Sequence, residues 1–217
     1  MPELLARVAR AQLYFLEASS NDDAGPALWT DRDHLAYLYK LELGGRLYGS
    51  GPMDPGADGL FRELSIIAAT SVEEAKQIAA EEPLQKVGRC RVAVRAYTMN
   101  EGVACYVGRA MFKRVQAQDT PFDGDISDVK LTREELLGRA SNAQVHLIML
   151  EPTSKPRPPE DTTSMAAHFA WLRENEMAGK LMNCGPVHPD KPLAPGIWGG
   201  GLGVVATSRL EAEQIAL

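Results

Sequence analysis

Two histidines in this chain head the same short pattern. His34 opens "HLAYLYKLELGGRLYGSGP" and His168 opens "HFAWLRENEMAGKLMNCGP". An imidazole titrates closer to neutrality than any other side chain, so at one fixed place beside a pocket it can take or give a proton. A carboxylate within reach would fix its tautomer and stabilise the imidazolium. Asp54, two residues past the Gly-Pro turn, is one such carboxylate, and His188 takes the matching place in the second stretch. The partial positive charge of a helix start favours the neutral ring at His34, hence a base. Ser50, which aligns with Cys184, and the aligned pair Tyr37 and Trp171 are candidates for contact with a substrate. Each residue also has a plainer structural role open to it: capping-layer histidine, turn aspartate, buried thiol or core aromatic.

The elements that must hold these residues come in duplicate. At a spacing of 134 residues His34 matches His168, Leu38 matches Leu172, Gly45 matches Gly179 and Pro52 matches Pro186. Pro55 and Pro189 extend the match. Upstream, "AQLYFLEA" answers "AQVHLIMLEP"; downstream, "AATSVEEAKQIAA" answers "VATSRLEAEQIAL". Three matched blocks in one order mean a duplicated domain.

In the first copy Gln12–Leu16 reads as a strand. Leu35, Leu38 and Tyr39 recur at helical spacing over Asp31–Leu43, capped by Thr30 or Asp31 and stopped by Gly44-Gly45. Arg46–Gly49 and Leu64–Ala69 read as strands. Ser71 or Thr70 opens a second helix with the capping-box form Ser-x-x-Glu. "RVAVRAY" alternates strictly and must be a half-buried strand. This βαββαβ order predicts an α+β chain of two ferredoxin-like units.

The organisation reads as 8–98, an insert 99–142, and 143–217, where the second copy stops part-way through its second helix. In the insert, Gly102–Val115 reads as an added strand pair, "QDTPFDGDISD" as a solvated acidic linker, and "TREELLGR" as a short capped helix. The acidic loop lacks the glycine and glutamate that a calcium loop requires. "GGGLG" at Gly199–Gly203 precedes a strand, so it reads as a hairpin and not a dinucleotide loop.

Composition narrows the classes of function. Apolar residues make up 45% and charged residues 24%, as in an ordinary globular protein. A net charge of −6 lacks the basic face that nucleic acid requires. Three cysteines in no cluster, and four histidines with no i, i+4 pair, suggest a reduced, cytoplasmic protein with no metal. Charges interrupt the N-terminus, which argues against a signal peptide, and no run is long enough to span a bilayer.

The order of the His-x-x-x-Leu helix, "GGRLYGSGP", "SVEEAKQIAAEEP" and "VGRCRVAVRAY" resembles the YciI-like (YCII-related) family of the dimeric α/β barrel superfamily. The resemblance covers 10–97 and, less completely, 143–217. It implies two ferredoxin-like sheets packed face to face, and a helix histidine paired with a carboxylate as an acid/base dyad. Glu82, in "AEEPLQKVG", stands where that family's acid is usually an Asp. The expected catalytic set is therefore His34 with Glu82 or Asp54, and His168 in the second copy. Ser50, Tyr37, His188 and Trp171 are expected at the substrate.

The function expected is a cofactor-independent acid/base enzyme of aromatic or small-acid catabolism, of isomerase or dehydrohalogenase (lyase) type. The alternative is a non-catalytic small-molecule-binding or accessory protein with a degenerate site. A small molecule is the expected partner, with a homodimer through sheet or edge-strand contacts also compatible.

Overall fold

The computed structural model describes residues 11–21, 26–54, 59–118, 121–140, 143–150, 162–188, 200–205 and 207–216. The expected domain start at residue 8, the Pro55/Pro189 match and Gly199 lie outside them. The architecture is α+β, and the chain divides into two compact units. One holds 13–95 with 110–142; the other holds Ala11 and Gln12, 96–109 and 143–217.

The first copy runs β1 (Ala11–Ser20), a 3-10 turn (Pro26–Thr30), α1 (Arg32–Leu43), β2 (Leu47–Met53), β3 (Arg62–Ile67), α2 (Val72–Ala80), α3 (Pro83–Lys86) and β4 (Cys90–Met99). Its strands lie in the order β2-β3-β1-β4, the ferredoxin-like arrangement. β1 pairs antiparallel with β3, setting Leu16 opposite Ser65 and Ala18 opposite Glu63. Directly opposed residues point to the same face, so Tyr14, Leu16, Ala18 and Ser20 share a face with Glu63, Ser65 and Ile67. β1 is buried on its other face too, through Leu13 and Phe15, which is why "AQLYFLEASS" shows no clean alternation.

Caps set the helix ends. Asp31 accepts from the Asp33 backbone N–H and starts α1. Gly45 ends it at φ +67°, with Gly45 N–H bonded to Glu42 O and Arg46 N–H to Leu41 O, the paired bonds of a Schellman motif. Ser71 accepts from Glu74 N–H at the start of α2. Glu74 does not close the capping box on Ser71. It turns instead to Thr70 and to the buried Arg46, at 2.9 Å.

The second unit repeats this grammar over β5 (His146–Leu150), α6 (Thr162–Met177), β6 (Leu181–His188), β7 (Gly201–Val205) and α7 (Arg209–Ala216), counting the two insert helices below as α4 and α5. Its strands lie β6-β7-β5, the order of β2-β3-β1 in the first copy. The register slips between Leu181 and Asn183 as it does between Leu47 and Gly49. Gly179, at φ +70°, closes α6 with the same two bonds as Gly45. Leu172, Leu181, Cys184, Val205 and Ala212 form its core. Tyr97 pairs with Val187, and the Tyr97 hydroxyl donates to Asn183 Oδ1 at 2.9 Å.

Four expectations are corrected. Gly102–Val115 is no strand pair. After Gly102, at φ +119°, the chain enters α4 (Cys105–Gln116), with Cys105 and Val115 turned into the core. The acidic segment is not a free linker: Ile126 packs against the cluster of Ala36, Val129 and Leu136, Phe122 lies edge-on to Tyr37 of α1, and Asp128 pairs with Lys40. α5 (Arg133–Leu137) follows with the full Thr132–Glu135 capping box. His168 does not open a helix, because α6 begins six residues earlier, at Thr162. Gly201 and Gly203 lie within β7 itself, paired antiparallel with β6, and not in a turn before the strand; across the other ladder they face Leu150 and Ile148 of β5.

No helix among the described residues is long and apolar enough to cross a membrane.

Candidate active site

Three elements of the first unit converge on His34. The Asp31 cap places it in the first turn of α1, the phase of β3 turns Glu63 to the same face as Ala18, and Glu82 is the N-cap of α3. His34 Nδ1 lies 3.0 Å from Glu82 Oε1, and Nε2 lies 2.9 Å from Glu63 Oε2. His34, Glu63 and Glu82 are 3%, 3% and 4% exposed. The Trp29 ring lies 5.7 Å from the imidazole, tilted by 59°.

An imidazole between two carboxylates can satisfy both only by donating from both nitrogens, which requires the imidazolium. Burial pushes the His34 pKa down, but the charges and hydrogen bonds of Glu63 and Glu82 outweigh it and raise the value to about 10. The helix-start argument for a neutral ring therefore fails, because two full charges at hydrogen-bond distance exceed a partial charge at a helix end. Burial alone would raise the Glu82 carboxyl; the His34 hydrogen bond and charge, with backbone N–H groups of α3, hold it below its ordinary range.

The two carboxylates are not equally committed. Glu82 Oε2 accepts the Gln85 N–H at 2.7 Å and the Cys90 thiol at 3.3 Å. That thiol is pushed far up by burial and by Glu82, so it stays protonated. Glu63 Oε1 receives one long bond, from Ser65 Oγ at 3.4 Å. Glu63 is thus the carboxylate with lone pairs to spare.

The other expected residues fall in different places. Ser50 is exposed on β2, directly opposite Ser65 and so on the face of Glu63. Asp54 is exposed just past the end of β2. Tyr37 is buried, and its hydroxyl donates to Ile78 O at 2.9 Å, a tie between α1 and α2.

In the second unit His168 is half-buried and stacked on Trp171, with centroids 6.0 Å apart and planes 16° from parallel. His188 is exposed, with Nε2 2.8 Å from Thr98 Oγ1. The second copy sets Gly201 opposite Pro186, where the first sets Glu63 opposite Pro52. The copies therefore differ in chemistry at one matched position.

Glu63 is the residue that sequence reasoning missed. In "RELSII" the apolar Leu64 and Ile66 suggest that Glu63 and Ser65 face solvent. The available signal was phase: Glu63 and Ser65 are in step with Ile67 and Ala69, which are core positions.

An open cleft of about 480 Å³ lies elsewhere in the first unit, lined by Lys40, Arg46, Phe122 and Asp128 among others. It sits at the opposite end of α1 from His34. Its charges are already engaged, Lys40 with Asp128 and Arg46 with Glu74. The side-chain chemistry, not the concavity, marks the candidate site.

Neither a scan of protein-family models nor a search of curated proteins gives a match. Among solved structures, a chlorite dismutase from Candidatus Nitrospira defluvii, an arginine-to-lysine mutant, aligns over 99% of this chain and 83% of its own. The TM-score is 0.44 at 11% identity. An unknown protein from Galdieria sulphuraria aligns over 94% of this chain and 86% of its own, with a TM-score of 0.26 and 11% identity. Likenesses this low identify no activity for this chain.

Proposed function

We propose that the first unit is a cofactor-independent acid/base enzyme of YciI-like type. It would act on small aromatic or other organic acids by isomerisation or by elimination of HX. The observation that carries this reading is the imidazolium of His34 held between Glu63 and Glu82, in one copy of the duplicated unit. Both ring nitrogens are committed, so the group that meets substrate is a carboxylate. Glu63 takes the substrate proton through Oε1. His34, charged and tied to Glu82, holds the Glu63 carboxyl in place through Oε2 and stabilises the arrangement as charge moves. Ser50, exposed across from Ser65, lies on the open edge strand by which substrate reaches Glu63. The second unit, with Gly201 for Glu63, is the non-catalytic copy.

Solvent exchange tests this without knowledge of the product. A panel of CH-acidic carboxylic acids and lactones is incubated with the protein in deuterium oxide and followed by proton NMR. Exchange or turnover of at least one compound is expected, falling about 10²–10⁴-fold in Glu63→Gln. No exchange across the panel, or exchange indifferent to Glu63→Gln, overturns the reading.

One observation favours the accessory-protein reading: the near-complete burial of all three side chains. That reading expects the Glu63→Gln change to move thermal stability alone.

A further inference from the structure

Among the described residues of the first unit, the buried Ser20 Oγ and Trp29 Nε1 have no hydrogen-bond partner. Their residues are 1% and 4% exposed. Buried donors are nearly always paired, since an unpaired one forfeits its hydration for nothing. Two in one small region need a cause.

Both lie beside the Glu63–His34–Glu82 cluster. Ser20 N–H bonds Phe61 O, and the next residue's N–H bonds Arg89 O, so Ser20 sits between Phe61 and Cys90 at the end of β1. It points to the same face as Ala18, which opposes Glu63. Trp29 packs with Ala18, Leu28, Leu84 and Cys90 over that face, with its ring against His34. Cys90, the neighbour of Ser20, donates to the same Glu82 that holds His34. The two orphans therefore border the charged cluster from its sheet side and its turn side.

Their chemistry names the missing partner. An indole N–H can only donate, and a serine hydroxyl can donate alongside it. The group that satisfies both is an oxygen acceptor. We propose that Ser20 and Trp29 anchor a carbonyl or carboxylate oxygen of a small organic acid, holding it beside Glu63. This deepens the acid/base reading and rests on it for the role of Glu63.

The test uses the full chain and three probes that differ in one group: benzoate, benzamide and benzyl alcohol. Binding is measured by tryptophan fluorescence and by ligand-observed NMR on wild type, Trp29→Phe and Ser20→Ala. Each variant removes one donor, Ser20→Ala with little change of volume and Trp29→Phe together with the five-membered ring. Benzoate or benzamide is expected to bind at least tenfold tighter than benzyl alcohol, and each variant is expected to weaken that binding about tenfold. The melting temperature of Ser20→Ala should hold or rise, since an unpaired polar atom has gone, whereas Trp29→Phe should lower it through the loss of buried ring. Preference for benzoate assigns the site to a carboxylate, and preference for benzamide assigns it to a neutral carbonyl.

Binding unchanged in both variants, equal binding of benzyl alcohol, or no saturable binding of either acceptor probe overturns the proposal. The two readings fail separately. Trp29-dependent benzoate binding without any Glu63-dependent exchange leaves the anchor and removes the enzyme. Glu63-dependent exchange with benzoate binding indifferent to Trp29 and Ser20 does the reverse.

Discussion

Replacing Glu63 by glutamine removes one of the two charges that hold His34 protonated and leaves the side-chain shape in place. In the wild type the His34 pKa stands at about 10 against an ordinary 6.5. A gap of that size corresponds to on the order of 5 kcal/mol of preference for the charged ring in the folded state. A raised pKa means that the folded state binds the extra proton. The stabilisation is complete below pH 6.5 and is lost as pH climbs from there to about 10. One opposite charge at this range is worth roughly 1–3 pKa units, so Glu63→Gln should lower the His34 midpoint by that much. The pH window over which stability falls should close from its upper end by the same amount. The assay is a carbon-13 NMR titration of the imidazole, with urea unfolding at several pH values between 6 and 10. A wild-type His34 midpoint at or below the ordinary value would refute the electrostatic argument. So would a midpoint indifferent to Glu63→Gln.

Three further outcomes are expected. Glu82 is held below its ordinary pKa, chiefly by His34 against the opposing effect of burial. Its contribution should therefore be present above the carboxylate range and disappear as pH falls through its lowered value, and Glu82→Gln should flatten that acid limb of the stability curve. Glu74→Ala leaves the 3%-exposed Arg46 without the carboxylate at 2.9 Å and should cost about 3–5 kcal/mol in chemical unfolding, whereas Glu42→Ala on the exposed face should cost less than about 0.5 kcal/mol. Gly45→Ala should destabilise more than Gly179→Ala in thermal melts. Both meet the positive-φ penalty of about 1 kcal/mol, but a Cβ at Gly45 also comes within 2.9 Å of the Arg114 guanidinium, while the space at Gly179 is open.

Local signals made the first copy legible. Asp31, Ser71 and Gly45 state helix ends in their own chemistry, and the alternation in Arg91–Tyr97 states a strand. The duplication made the second copy legible through the first. What failed was decided by tertiary context. Residues 102–115 carry aromatic and β-branched side chains that suit a strand, yet burial of Cys105 and Val115 on one side selects a helix. Residues 123–131 look solvated by composition, but Ile126, Val129 and Leu131 pack on the α1 face. Glu63 was hidden because alternation tells two faces apart without saying which is buried, and a strand buried on both faces blurs even that. His34 and Glu82 could be paired from the resemblance alone. Their charge state could not, since it depends on the third group.

Comparison of the two copies separates what the fold needs from what it merely carries. The Arg46–Glu74–Thr70 cluster recurs as Lys180–Glu211–Thr207, the Schellman glycine recurs, and the register slip in the edge strand recurs. These features serve backbone geometry, and a duplicated fold retains them. Glu63 does not recur: Gly201 fills its place and β7 still pairs in register. A buried imidazolium with two buried carboxylates carries a net negative charge out of water, a poor way to stabilise a core when apolar side chains of similar volume do as well or better. The expectation is that single changes hurt and a joint change does not. His34→Leu, Glu63→Leu or Glu82→Ser alone should cost about 3–5 kcal/mol, because each leaves charge buried without its partner. The combination His34→Leu, Glu63→Leu and Glu82→Ser removes all three charges, keeps an oxygen to cap α3, and should melt within a few degrees of the wild type or above it. Urea unfolding of the wild type, the three single variants and the triple variant at pH 7 measures the non-additivity directly. If the triple variant is as damaged as the sum of its parts, the cluster is part of the framework after all, and its retention in one copy says nothing about chemistry.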